Sequence, residues 1–152
     1  MNKKGGISVI LASIIVAFVL QLISLNIFIS LLEINTVGNI RSILRTEADT
    51  AVNNYKVDSA IYAFFNKDIY NHIPVLKDYS TIYTIYEYKN GSMNQISTSY
   101  GDDNTDISLE KGQVLEITIR QNTISTLQKL NNMLTGKEEQ GKIVISEKRA
   151  VN

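Results

Sequence analysis

The chain of 152 residues has no cysteine and no tryptophan, one proline and one histidine. Without cysteine it forms no disulfide, thiolate metal site or cysteine nucleophile. A single histidine, His72, excludes a multi-histidine metal site, and no G-x-S-x-G turn frames a serine nucleophile. His72 lies between Asn71 and Ile73 in an expected irregular connection and reads as an ordinary surface or half-buried residue. An excess of either charge is also missing, since 15 basic residues face 15 acidic ones. That balance offers no basic patch for phosphates, so nucleic acid is not an expected partner.

Charge is absent altogether from Ile7 to Leu32. As a helix this stretch is about 39 Å long at 1.5 Å per residue, and the hydrocarbon core of a bilayer is about 30 Å thick. A domain of this size could hardly cover such a helix on every side. Residues 7–32 are therefore expected to be a transmembrane helix with the lipid bilayer as its first partner. A cleavable signal peptide has a shorter apolar region and a small-x-small site, which Ala12, Ala17 and Ser24 do not form. Lys3 and Lys4 precede the span, and the positive-inside rule puts that end in the cytoplasm and the rest outside.

Polar and small residues in the span recur at helical spacing. Ser13, Ala17, Gln21 and Ser24 lie near one face; Asn26, Ser30 and Glu33 form a second short stripe. Such residues allow close approach of helices and hydrogen bonds between them. They therefore mark either packing against other membrane helices or polar residues tolerated singly in lipid.

Beyond the span, Ile34, Val37, Ile40, Leu44, Ala48, Ala51 or Val52, and Tyr55 keep the helical period. No proline interrupts residues 7–55, and Gly38 is a mild weak point of about 1 kcal/mol. One continuous helix is expected, apolar all round at first and amphipathic over 33–55. A second helix is expected over 57–66 with Ile61, Phe64 and Phe65 inward. Residues 81–89 are β-branched and aromatic, and Asn90-Gly91 then joins them to 93–99 as a hairpin. Val114 to Arg120 alternates, with Leu115, Ile117 and Ile119 on one side. Residues 123–134 return to helical period, with Ile124, Leu127, Leu130 and Leu134 on one stripe and Gly136 as the stop. Gly141 precedes a last strand over 142–146. The expected fold is α+β: a long N-terminal helix packed on a small antiparallel sheet, with one or two further short helices. In domain terms, 1–6 is a short basic leader or tail, 7–32 the span, and 33–152 an extracytoplasmic domain.

Two motifs invite a chemical test. Asp102, Asn104 and Asp106 alternate like the first ligands of a calcium loop. The position that needs glycine holds Ile107, the twelfth position holds Gln113, and Glu110 is the nearest acid, so the run reads as a solvated acidic turn. Tyr83, Tyr86 and Tyr88 could line a binding patch on the sheet, or serve as core and strand-surface packing. No catalytic residue, metal ligand or cofactor is expected, and the chain does not read as an enzyme.

Lys3-Lys4-Gly5-Gly6 followed by Ile7-Ser8-Val9-Ile10-Leu11, and then by the two-part helix, resembles type IV pilin-like proteins, including the Tad-type pseudopilins. The resemblance covers residues 1 to about 55. It implies cleavage between Gly6 and Ile7 by a prepilin peptidase and assembly with other pilin-like subunits. Most members carry Glu at the fifth residue after the cut. Leu11 stands there, which implies a minor pseudopilin of a surface appendage, secretion or conjugation-like apparatus rather than a major fibre subunit. The alternative on the residues alone is a single-pass, membrane-anchored extracytoplasmic binding or sensory module.

Overall fold

The structure is a computed structural model describing residues 3–73, 76, 78–101, 106–136 and 141–152; for residues 3–7, His72 and Leu127 it describes the backbone alone. In chain order the elements are α1 (Lys3–Asn53), β1 (Lys56–Val57), α2 (Ser59–His72), β2 (Tyr79–Lys89), β3 (Ser92–Tyr100), β4 (Ile107–Ser108), β5 (Gln113–Gln121), α3 (Thr126–Thr135) and β6 (Val144–Ala150). The fold is α+β, a long helix on a small antiparallel sheet with two short helices beside it.

With no proline to remove a hydrogen bond, α1 runs unbroken for 51 residues, about 77 Å at 1.5 Å per residue. Gly38 is exposed and leaves no gap in the packing. The helix ends where Tyr55 turns left-handed, at φ 56°. A tyrosine there is strained, and three contacts hold it: Tyr55 N donates to Val52 O, its carbonyl accepts from Leu109 N, and its hydroxyl donates to Asn152 O.

The main sheet has the order β3-β2-β5-β6, antiparallel throughout. Asn90 and Gly91, both at positive φ, close the β2–β3 hairpin as the Asn-Gly pair requires. β1 and β4 form a separate two-stranded ladder that ties the end of α1 to the segment before β5. The core lies between the helices and one face of the sheet. It joins Ile40, Leu44, Ala48 and Ala51 of α1 to Ile61, Tyr62, Phe65 and Ile69 of α2. Tyr83 and Ile85 of β2, Leu115, Ile117 and Ile119 of β5, and Ile145 of β6 also belong to it. The β5 residues alternate as the sequence alternates, because successive side chains in a strand point to opposite faces.

Several boundaries differ from the sequence reading. α2 continues to His72, which is its last residue and not part of a loop. Phe64 is exposed, and Tyr62 takes the inward position. On a helical wheel Ile61, Tyr62, Phe65 and Ile69 share an arc of about 100°, and Phe64 falls about 60° outside it. α3 begins three residues later than expected, because Ser125 and Gln128 form a capping box that fixes its start. The last strand is longer, reaching Ala150.

Candidate functional site

α1 is the one described helix long and apolar enough to cross a membrane, and its most apolar stretch is not covered by the rest of the chain. From Val9 to Leu20 every apolar side chain is exposed. Residues 7–25 span about 28 Å, close to the thickness of a hydrocarbon core. Cover on α1 begins on the face of Leu22 and Asn26, both half-buried, and Ile29 is fully buried. Over 26–32, one face meets the domain while Ile27, Phe28 and Leu31 stay exposed.

The two polar stripes of α1 have opposite surroundings. Ser13, Ala17, Gln21 and Ser24 fall within an arc of about 80°, and all four are exposed. Ser13 Oγ donates to Val9 O of its own helix at 2.9 Å, which satisfies the hydroxyl without a second helix. The second stripe faces the chain's own domain. Asn26 Nδ2 donates to Asn131 Oδ1 of α3 at 3.1 Å. Glu33 borders a small cleft with Ile29, Leu32, Thr36, Ser125, Gln128 and Ile143. The helix that meets this stripe is thus α3 of the same chain. Gly6 and Ile7 are helical within α1, and their surroundings are not described.

A buried acid lies higher on α1. Glu47 is 2% exposed, and its Oε1 has no hydrogen-bond partner. Burial, reinforced by the charges of Asp68 and Asp58, pushes its carboxyl up to about 8. Tyr83 lies fully buried on the sheet below, with its hydroxyl unpartnered and its proton held more tightly by burial and by the charge of Glu47. Tyr62 meets Tyr83 edge-on at a centroid distance of 4.9 Å. Sequence reasoning missed Glu47. Its signal was an acid at a core-facing position between Leu44 and Ala48.

The three tyrosines do not form one patch. Tyr83 points into the core, whereas Tyr86 and Tyr88 lie on the opposite face, as odd and even positions of one strand must. Tyr86 Oη donates to Glu116 Oε2 at 2.6 Å, Lys148 lies 3.5 Å from the same oxygen, and its ammonium is 4.8 Å from the Tyr86 ring centroid. That face is open and ion-paired. Asp102 and Asn104 lie outside the described residues; Asp106 and Glu110 are exposed. Among the described residues no three His, Asp or Glu side chains come together as a metal site.

On the other edge, β6 is clamped to α1 by charge. Arg149 meets Asp49 and Glu147 at 2.6 Å each, and Arg45 meets Glu147 at 3.5 Å. Such partly exposed pairs contribute little individually; the apolar core beneath them joins the sheet to the helix. No protein-family model, curated protein or solved structure matches this chain.

Proposed function

We propose that the protein is a membrane-anchored, pilin-like structural component, a minor pseudopilin of a surface appendage, secretion or conjugation-like apparatus. One observation carries this reading: a single unbroken helix is bare and apolar in its first half and built into a sheet domain in its second. A rigid rod of this kind transmits the position of the domain to the membrane and offers its bare half to lipid or to neighbouring subunits. In this reading the N-terminus is cytoplasmic, the domain is extracytoplasmic, and the exposed stripe Ser13, Ala17, Gln21 and Ser24 is the surface that meets other membrane helices. Leu11, in place of an acid, suits a subunit that starts or caps an assembly.

The test is the mature N-terminus of protein extracted from membranes of cells with an active prepilin peptidase. Cleavage between Gly6 and Ile7 gives Ile7 as the first residue. Recovery of the uncleaved Met1 form removes the pilin-like assignment and leaves the anchored binding or sensory module.

A further inference from the structure

α3 is assembled inside out. Its buried side is polar: Gln128 is 4% exposed and exchanges two amide hydrogen bonds with Gln121, at 2.9 and 3.2 Å. Gln128 also donates to Gly141 O at 2.7 Å, and Asn131 accepts from Asn26. Its described apolar side chains look outward, with Met133 81% exposed, Leu134 38% and Leu130 37%. A helix on a water-washed surface has the reverse arrangement.

The position of α3 says what covers that face. Ser125 and Gln128, at its start, border the cleft with Leu32, Glu33 and Thr36; Asn131, one turn on, bonds to Asn26. α3 therefore runs antiparallel to α1 and descends along it. Thr135 lies about 6 Å beyond Asn131, toward the half-buried Leu22 and the bare stretch of α1 before it. At the same level Ile27, Phe28 and Leu31 are exposed on the side of α1 turned away from α3, so apolar side chains flank the α1–α3 pair on both outer faces.

We propose that α3 is a membrane-interface helix whose Leu130, Met133 and Leu134 face enters the headgroup and upper acyl layer of the bilayer that holds α1. This rests on the membrane-anchored reading above. An apolar helix face buried about 5–10 Å into that layer is stabilised by the area removed from water. Asn26 and Asn131, facing each other, satisfy one another where water is scarce. α3 thereby fixes how high the sheet stands above the membrane and which way it faces, as a single helix free to rotate cannot.

The chain's lack of cysteine makes the test direct. Full-length Val16→Cys, Met133→Cys and Ser97→Cys proteins, each labelled with an environment-sensitive fluorophore, are reconstituted into phosphatidylcholine–phosphatidylglycerol vesicles. The vesicles carry doxyl groups either near the headgroup or near the acyl terminus. The expected result is loss of most Met133 fluorescence with shallow doxyl, loss of Val16 fluorescence with deep doxyl, and none at Ser97, which is exposed on β3. If Val16 is quenched and Met133 behaves like Ser97, the interface helix is wrong and the anchor stands. Energy transfer between Met133 labels on different chains, without lipid quenching, assigns the face to a second copy and also overturns the proposal. If Val16 is not quenched, the anchored reading fails and the proposal with it.

Discussion

The two short helices dock on the same long helix and bury opposite sides of themselves. α2 turns Ile61, Tyr62, Phe65 and Ile69 to the core and leaves Asn66 and Lys67 exposed, together with Phe64 and Tyr70. α3 turns Gln128, Asn131 and Asn132 inward and leaves Leu130, Met133 and Leu134 out. Both follow from burying whichever side the surroundings reward. α2 packs where α1 is amphipathic and water is the alternative. α3 packs where α1 is losing its last polar residues; on the proposed membrane-interface reading lipid is the alternative there, and its outward face then has no need of polarity.

That contrast breaks most visibly under core truncation. Phe65→Ala is expected to lose about 3–5 kcal/mol, since Phe65 is fully buried in the main core. Met133→Ala is expected to change stability by less than about 0.5 kcal/mol in detergent micelles, where no bilayer covers the face. Urea unfolding of the full-length chain followed by circular dichroism reads both. Equal losses would mean that α3 also relies on its apolar face for packing.

The next effect sharpens the account of the α2 side, where the core holds an acid. Glu47 titrates near 8 when folded and near the ordinary 4.5 when unfolded. Between those values the folded state holds a proton that the unfolded chain has released. Its stability is therefore highest below about pH 4.5 and falls as pH rises toward about 8. Glu47→Gln keeps the shape and removes the titration. The variant is expected to lose that pH slope and to be more stable than the parent at pH 8 by roughly 4 kcal/mol. A parent curve flat from pH 5 to 8 would mean that the carboxylate is solvated.

On the α3 side the corresponding weak point is polar. Gln128→Ala removes an amide bonded to Gln121, Gly141 and the Ser125 backbone. Buried groups left without partners cost about 1–3 kcal/mol in total, so the same unfolding assay is expected to show a loss in that range. No loss would mean that water reaches Gln121 and that α3 is only loosely seated.

Much of this architecture was legible because it rests on local rules. The uncharged run, the proline-free continuation, the Asn-Gly hairpin and the alternation through Leu115, Ile117 and Ile119 each need only neighbouring residues. What escaped depends on tertiary placement. The expected stripe of Ile124, Leu127, Leu130 and Leu134 has a sound helical period, but period reports only that two sides differ, and Leu130 and Leu134 lie on the exposed one. Which side is buried was set by Gln121 and Asn26, distant in sequence. Glu47 was hidden for the same reason, since only packing against α2 and β2 reveals an acid without a partner. For the tyrosines parity decides between the two readings: Tyr83 and Tyr86 are an odd number of residues apart, so they belong to opposite faces, as core and strand-surface packing and not one binding patch.

The smallest expected effect bears most directly on why α3 differs from α2. Asn26 and Asn131 are joined by one hydrogen bond at 3.1 Å, between the apolar run of α1 and the middle of α3. Asn26→Ala and Asn131→Ala each remove half of the pair, and the double variant completes a cycle that isolates their coupling. Side-chain bonds between helices in lipid average about 0.6 kcal/mol, so a coupling of about 0.5–1 kcal/mol is expected for protein reconstituted in bilayers. In micelles, where water reaches the amides more easily, it should shrink. A coupling of zero in both media would detach α3 from the apolar run, and the opposite polarity of the two helices would then need a cause other than the membrane.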